Sequence, residues 1–171
     1  TLFVRRGNPA TALSTMISAI DQDFGNLITT IAGYQIFTAA TMLSCDNPGW
    51  LTGYFAVYNA ATLDYLGKSE TKSISINATP TFYTFNFPTP LDTITGNVWV
   101  LFVLDYAVGL GNVYAKYSAA VAGSGEQTTL AYTATPADPH IALEFSLAWN
   151  FGLYIDTVYG TTDPTACAVT T

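Results

Sequence analysis

Apolar and polar residues alternate with a period of two along most of this chain from Tyr34 onward, and turn residues separate the alternating segments. This period places successive side chains on opposite faces of a sheet. The composition agrees, because β-branched and aromatic residues, with 26 threonines among them, far outnumber the strong helix formers. About nine predicted strands without a convincing helix indicate an all-β fold, a two-sheet antiparallel sandwich that is most simply a jelly roll.

Three segments carry specific strand predictions. Residues 97–106 are apolar on both faces apart from their ends, which predicts the central core strand. The aromatic row at positions 83, 85 and 87 predicts a strand that ends at Pro88 and Pro90, since proline cannot donate to a sheet ladder. Residues 140–150 alternate without a fault and predict one continuous strand.

The first 32 residues follow a different pattern. Their apolar residues have the spacing of one helical face: Leu13, Met16, Ile17 and Ile20. The segment is also rich in Ser and Thr, which have poor helix propensity, so a short helix and an extended arm both stay open. We divide the chain into an N-terminal arm (1–32), a β-sandwich (33–160) and a Thr-rich C-terminal tail (161–171).

The charge pattern limits the partners of this chain. Its net charge is −7 with only five Lys and Arg, and none follows Lys116, so nucleic acid is excluded as a main partner. The longest apolar run, 98–104, is far shorter than the roughly 20 residues of a membrane helix. The chain begins without Met or a signal segment, and we expect a mature, exported protein outside the cell or on its surface.

The chain offers little material for catalysis. His140 is the lone histidine, it is expected on the solvated face of its strand, and no nucleophile motif accompanies it. Asp105, Glu144 and Asp156 fall on or near predicted core strands, but nothing in the sequence brings any two together as a glycosidase would require. We therefore expect no enzyme and no cofactor other than calcium.

Four other groups of residues are candidates for binding or modification. Asp21, Asp23 and Asn26 could begin an oxygen-rich calcium loop, or form a solvated acidic turn. Cys45 and Cys167 predict a disulfide, with two separate buried thiols as the alternative. Asn77 begins the sequon Asn-Ala-Thr for N-glycosylation. Trp50, with Asp46 and Asn47 beside it, is a sugar-stacking candidate, whereas Trp99 and Trp149 lie on apolar rows and are expected in the core.

The order of segments resembles the jelly-roll modules of secreted and surface-anchored microbial proteins. The resemblance covers roughly residues 33–160 and rests on four segments: YQIFTA, LTGYFAVYNAATLDYLGKSETKSISI, TFYTFNFPTPLDTITGNVWVLFVLDY and LYIDTVYG. Val98 stands where those modules usually have Tyr. In style, the acidic, Thr-rich sandwich with a leading arm also resembles the subunits of archaeal extracellular filaments, which donate an N-terminal strand to the next copy.

These resemblances imply two functions. The first is an extracellular, pilus-like structural subunit that forms a homopolymer through donor strands of its arm, at Leu2, Phe3 and Val4 or at Ile28 and Ile31. The second is a carbohydrate-binding module of a secreted or surface protein, with Trp50 as the sugar contact. In either case the abundant surface hydroxyls could carry glycans.

Overall fold

The computed structural model describes residues 3–10, 13–18, 23–105, 109–128, 132–140 and 145–159. These residues form fourteen strands and no helix. The strands are β1 (Phe3–Gly7), β2 (Ser14–Ser18), β3 (Asp23–Thr30), β4 (Tyr34–Cys45), β5 (Gly49–Asn59), β6 (Tyr65–Lys68), β7 (Lys72–Ile76), β8 (Thr81–Asp92), β9 (Gly96–Asp105), β10 (Val113–Ala119), β11 (Gly125–Thr128), β12 (Phe145–Leu147), β13 (Trp149–Phe151) and β14 (Leu153–Tyr159).

The strands make two seven-stranded antiparallel sheets that pack face to face, so the predicted all-β sandwich is confirmed. In the first, called sheet A, β4 lies beside β8 on one side and beside β14 and β10 on the other, while β1 and β2 are outermost. In the second, sheet B, the order is β12, β11, β3, β9 and β5, with β6 and β7 both on β5.

Aromatic rings fill the space between the two sheets. Phe102 of β9 lies 5.0 Å from the Phe55 ring and 5.4 Å from the Phe85 ring, and Phe24 lies 5.0 Å from Phe151 across the sheets. All five are at most 1% exposed. The prediction that residues 97–106 contain the central core strand is confirmed, because β9 pairs with both β3 and β5.

One buried polar side chain ties the sheets together. Asn26 of β3 is 1% exposed, and its Oδ1 accepts a hydrogen bond of 2.8 Å from the Phe151 backbone N–H. Its Nδ2 donates to Phe151 O at 2.8 Å and to Leu153 O at 3.4 Å. These bonds hold sheet B against the junction of β13 and β14, where Gly152 interrupts the strand.

Two strand predictions are wrong in their bounds. β8 continues through Pro88 and Pro90 to Asp92, because it is an edge strand whose ladder with β4 skips residues 87–90. The predicted single strand over 140–150 is divided instead: β12 pairs with β11 in sheet B, and β13 pairs with β10 in sheet A. Local alternation describes which face is apolar, but it cannot specify which sheet each residue joins.

The N-terminal prediction is also corrected. Residues 14–18 are a strand, so a helix there is wrong. Residues 23–30 form β3 inside sheet B, so an arm over 1–32 is wrong for that stretch, because β3 is apolar enough to be buried between β9 and β11. Among the described N-terminal residues, those that pair along an edge are 3–7 and 14–18. The predicted tail, 161–171, lies outside the described residues.

Candidate functional sites

The N-terminal segment 3–18, called the edge segment here, contains β1 and β2, which both lie along one edge of sheet A. β1 pairs with β14 from Phe3 opposite Val158 to Gly7 opposite Tyr154, and β2 pairs with β10. Neither core cluster of described residues includes a residue of β1. An open depression of about 410 Å³ separates β1 from β3 of sheet B. Backbone pairing, more than burial of side chains, therefore holds β1 in place.

Arg5 sets the register of β1 on β14. Its Nε donates to Asp156 Oδ1 at 2.7 Å and its Nη2 donates to Oδ2 at 3.0 Å. Thr38 also donates to this carboxylate, at 3.2 Å, and the Arg5 guanidinium lies 4.1 Å from the centre of the Tyr154 ring. The hydrogen bond to Asp156 raises the pKa of Arg5. A bidentate pair of this kind fixes geometry as well as charge.

The predicted donor residues lie in different environments. Phe3 is 49% exposed and Val4 is half-buried, and both belong to β1 within the same chain. Ile31 is 50% exposed beyond the end of β3. Ile28 is 5% exposed inside the chain's own core, so its prediction as a donor is wrong. Leu2 lies outside the described residues.

A second apolar cluster lies on the outer face of sheet B. Tyr54, Tyr58 and Trp99 belong to it and are at most 5% exposed, so Trp99 is buried as predicted, although not between the sheets. Residues 132–140, called the covering segment, are anchored here. Tyr54 donates to Thr133 O at 2.7 Å and Tyr58 donates to Ala137 O at 3.0 Å. Burial raises the pKa of Tyr54 to about 12 and also raises the pKa of Tyr58.

The covering segment ends at a buried group of titratable side chains. His140 Nε2 lies 2.9 Å from Asp23 Oδ2, and the Glu126 carboxylate is beside them. One atom of each side chain lies within 4.8 Å of the others. The exposed fractions are 4% for His140, 3% for Asp23 and 0% for Glu126. The prediction of a solvated His140 is wrong, because residues 132–140 fold over the outer face of sheet B and carry it inside.

Strand register explains how the two acids meet. Glu126 of β11 is directly opposite Gly25 of β3, and Asp23 is two residues before Gly25, on the same face. Because Gly25 has no side chain, nothing at that pair competes with the Glu126 carboxylate for space. Glu126 was missed from the sequence, since it follows a Gly-Ser-Gly turn and nothing local relates it to residues about a hundred positions away.

The two described residues of the predicted calcium loop do not converge, and calcium binding itself stays a prediction. Asp23 and Asn26 are three residues apart on a strand, so their side chains point to opposite faces. The Asn26 side chain forms hydrogen bonds with the Phe151 backbone between the sheets, whereas the Asp23 side chain contacts His140 of the covering segment. Asp21 lies outside the described residues.

Trp50 is exposed, as its sugar-stacking role requires, with 63% of its surface accessible on β5. It is opposite Ser75 of β7, and the neighbouring pair Thr52 and Ser73 share a hydroxyl hydrogen bond of 2.8 Å.

The other two residues of the predicted sugar site are exposed near the start of β5. The Asp46 carboxylate accepts bonds from Asn112 N at 2.8 Å and Tyr114 OH at 2.9 Å. The first of these lowers the pKa of Asp46. Asp46 therefore links the turn after β4 to the residues at the start of β10. Asn47 adds a backbone hydrogen bond from its N–H to Leu110 O.

Cys45, Asn77 and Trp149 are further described residues that the sequence singled out. Cys45 is buried, with its Sγ 3.2 Å from Asn47 O, and Cys167 lies outside the described residues, so the disulfide stays a prediction. Asn77 is exposed in the turn between β7 and β8, where a glycan would have room. Trp149 is half-buried and stacks on Tyr117 at 4.3 Å.

No protein-family model and no curated protein matches this chain. Among solved structures, the fold is similar to a chain of a variant of the clostridial cysteine protease Cwp84 after propeptide cleavage, with a TM-score of 0.62 and 12% identity. The match covers 92% of this chain and 40% of that chain, so this chain spans well under half of that neighbour's length. At this identity the likeness concerns the fold alone. Separately, the described residues contain no helix that could cross a membrane.

Proposed function

We propose that this chain is a non-catalytic, extracellular structural subunit that assembles with copies of itself by exchanging the edge segment, residues 3–18. One observation carries the proposal: β1 and β2 complete an edge of sheet A, while β1 contributes nothing to the core clusters. An edge strand of this kind can leave without opening the sandwich. The vacated edge of β14 and β10 must then be covered by an equivalent strand.

The contacts of the edge segment are the same whether it comes from its own chain or from a neighbour. The Arg5–Asp156 pair specifies the register in both arrangements, so exchange needs no new recognition. Exposed apolar side chains also lie at the ends of the strands next to the start of β1. Phe3, Ile31 and Tyr159 are 49%, 50% and 44% exposed, and a neighbouring copy would bury part of this surface.

Complementary charge reversal tests whether the strand is exchanged. Arg5→Asp and Asp156→Arg each place like charges at the β1–β14 pair, so neither variant is expected to assemble alone. In an equimolar mixture, the edge segment of R5D can pair with β14 of D156R. The edge segment of D156R, which keeps Arg5, can pair with β14 of R5D, which keeps Asp156. Fibres or high-mass assemblies should therefore form with wild-type protein and with the mixture, as seen by negative-stain imaging and size-exclusion chromatography.

Arg6→Asp is the matched control, because Arg6 lies on the same strand but bonds only weakly to Thr29 O, at 3.5 Å. We expect R6D to assemble without a partner variant. If mixing R5D with D156R restores nothing, or if wild-type protein is monodisperse under all conditions, strand exchange is refuted.

Carbohydrate binding is the second candidate, and the exposed Trp50 favours it. An indole that is 63% exposed beside the hydroxyls of Thr52, Ser73 and Ser75 offers a stacking face with polar neighbours, the combination that sugar sites use. A glycan-binding screen with wild-type protein and Trp50→Ala tests this role. Binding that the variant loses would support the module, while a screen without hits would remove it.

A further inference from the structure

We propose that Asp23, Glu126 and His140 bind a divalent transition-metal ion beneath the covering segment, and that Zn²⁺ fits them best. The three side chains come from β3, from β11 and from the end of the covering segment. Each offers one donor atom, and the three atoms lie within 4.8 Å of one another. A point among them is within about 2.8 Å of each, so small side-chain rotations bring all three to the 2.0–2.2 Å of a zinc bond.

Charge balance is the second step. Asp23 and Glu126 are both at least 96% buried and lie close together, where two like charges repel each other. Protonated His140 could offset only one negative charge. A divalent cation offsets both, with the imidazole neutral as a metal ligand must be.

The donor set decides between metals. Calcium takes six to eight oxygen ligands, and an imidazole nitrogen is not among them. Zinc accepts imidazole nitrogen and carboxylate oxygen together, commonly with three protein ligands and a water. The site therefore shares only Asp23 with the calcium loop that the sequence suggested, and it favours a different metal. An ion here would join β3, β11 and residues 132–140, which are far apart in the chain.

The test begins with the unmodified full chain. Two samples are treated with chelator to remove bound metal: one stays native, and the other is unfolded and refolded. The thermal unfolding of each is then measured with ZnCl₂, CoCl₂ or CaCl₂. At a hundredfold excess over the dissociation constant, Zn²⁺ should raise Tm by about 5–10 °C, and Ca²⁺ should have no such effect. Co²⁺ should give a visible absorption band. The refolded sample is included because the three side chains are buried, and refolding in the presence of metal lets the ion enter before the covering segment closes over the site.

Variants then assign the ligands. Glu126→Gln keeps the shape of the side chain and removes its charge, so we expect Zn²⁺ affinity to fall at least about 100-fold and the Tm shift to disappear. Asp92→Asn, at an exposed acid that pairs with Gln35, is the control and should keep the full shift. Asp23→Asn replaces E126Q if that variant fails to fold.

Three results would each overturn the proposal. The first is wild-type protein that binds no Zn²⁺ and shows no shift, either native or refolded. The second is an E126Q variant with unchanged Zn²⁺ affinity. The third is a metal-independent rise in Tm in E126Q with no Zn²⁺ effect in wild type, which would show that the cluster shares a proton instead.

Discussion

Replacing Asn26 by Ala should weaken the contact between the two sheets more than any change of similar size on the surface. Asn26 is the polar side chain through which β3 reaches the β13–β14 junction, with bonds of 2.8 Å to Phe151 N and 2.8 Å to Phe151 O. Alanine removes the partners of both backbone groups. It leaves the Phe151 N–H and C=O facing an apolar interior.

The magnitude follows from those two groups. A buried donor or acceptor that loses its partner costs about 1–3 kcal/mol, and the volume vacated by the amide adds to the loss. We therefore expect N26A to lower the free energy of unfolding by about 3–5 kcal/mol. The total free energy of unfolding of a domain is about 5–15 kcal/mol, so a loss of this size is a large fraction of the stability. The longer bond to Leu153 O, at 3.4 Å, adds little.

Urea unfolding followed by tryptophan fluorescence measures this difference. Asn97→Ala is the matched control, because Asn97 is exposed and accepts one hydrogen bond, from Thr29, at 2.8 Å. It should cost less than about 1 kcal/mol. Asn26→Asp adds a second check, since a protonated carboxyl can still donate to Phe151 O, so this variant should recover stability as the pH falls. If N26A and N97A unfold at the same urea concentration, the reasoning about buried backbone groups is wrong.

Three further predictions concern sheet B and its covering segment. Gly25→Ala should unfold the protein or lower Tm by more than about 10 °C in a thermal scan, because the added Cβ would lie 1.8 Å from Val100 O; a near-native Tm would contradict the close approach of β3 and β9. Tyr58→Phe removes the bond to Ala137 O and should speed hydrogen exchange in residues 132–140 while leaving β9 protected; unchanged exchange would show that the bond does not anchor the segment. Ionisation of Tyr54 favours the unfolded chain, where tyrosine titrates near pH 10, so stability should be full below that pH and fall as the pH rises towards about 12, with tyrosinate absorbance and loss of circular dichroism appearing together.

The strand content could be predicted from the sequence because its signal is local. The continuous apolar run in residues 97–106 and the alternation around Ile74 and Ile76 are both patterns of near neighbours, and the structure has β9 and β7 there with the expected buried faces. The burial of Trp99 follows from its apolar row, and the exposure of Trp50 follows from its place beside the turn at residues 47–49. The all-β sandwich is therefore a property of the sequence itself.

The tertiary structure decided how those strands share the two sheets and which side chains meet. Residues 145–151 have one unbroken alternation, yet they change sheets at Ala148, because pairing partners are chosen by distant strands. His140 is buried only because its segment folds over sheet B, and it meets Asp23 across 117 positions of chain. A contact of that span depends on register and on how loops close, and no local pattern in the sequence records either one.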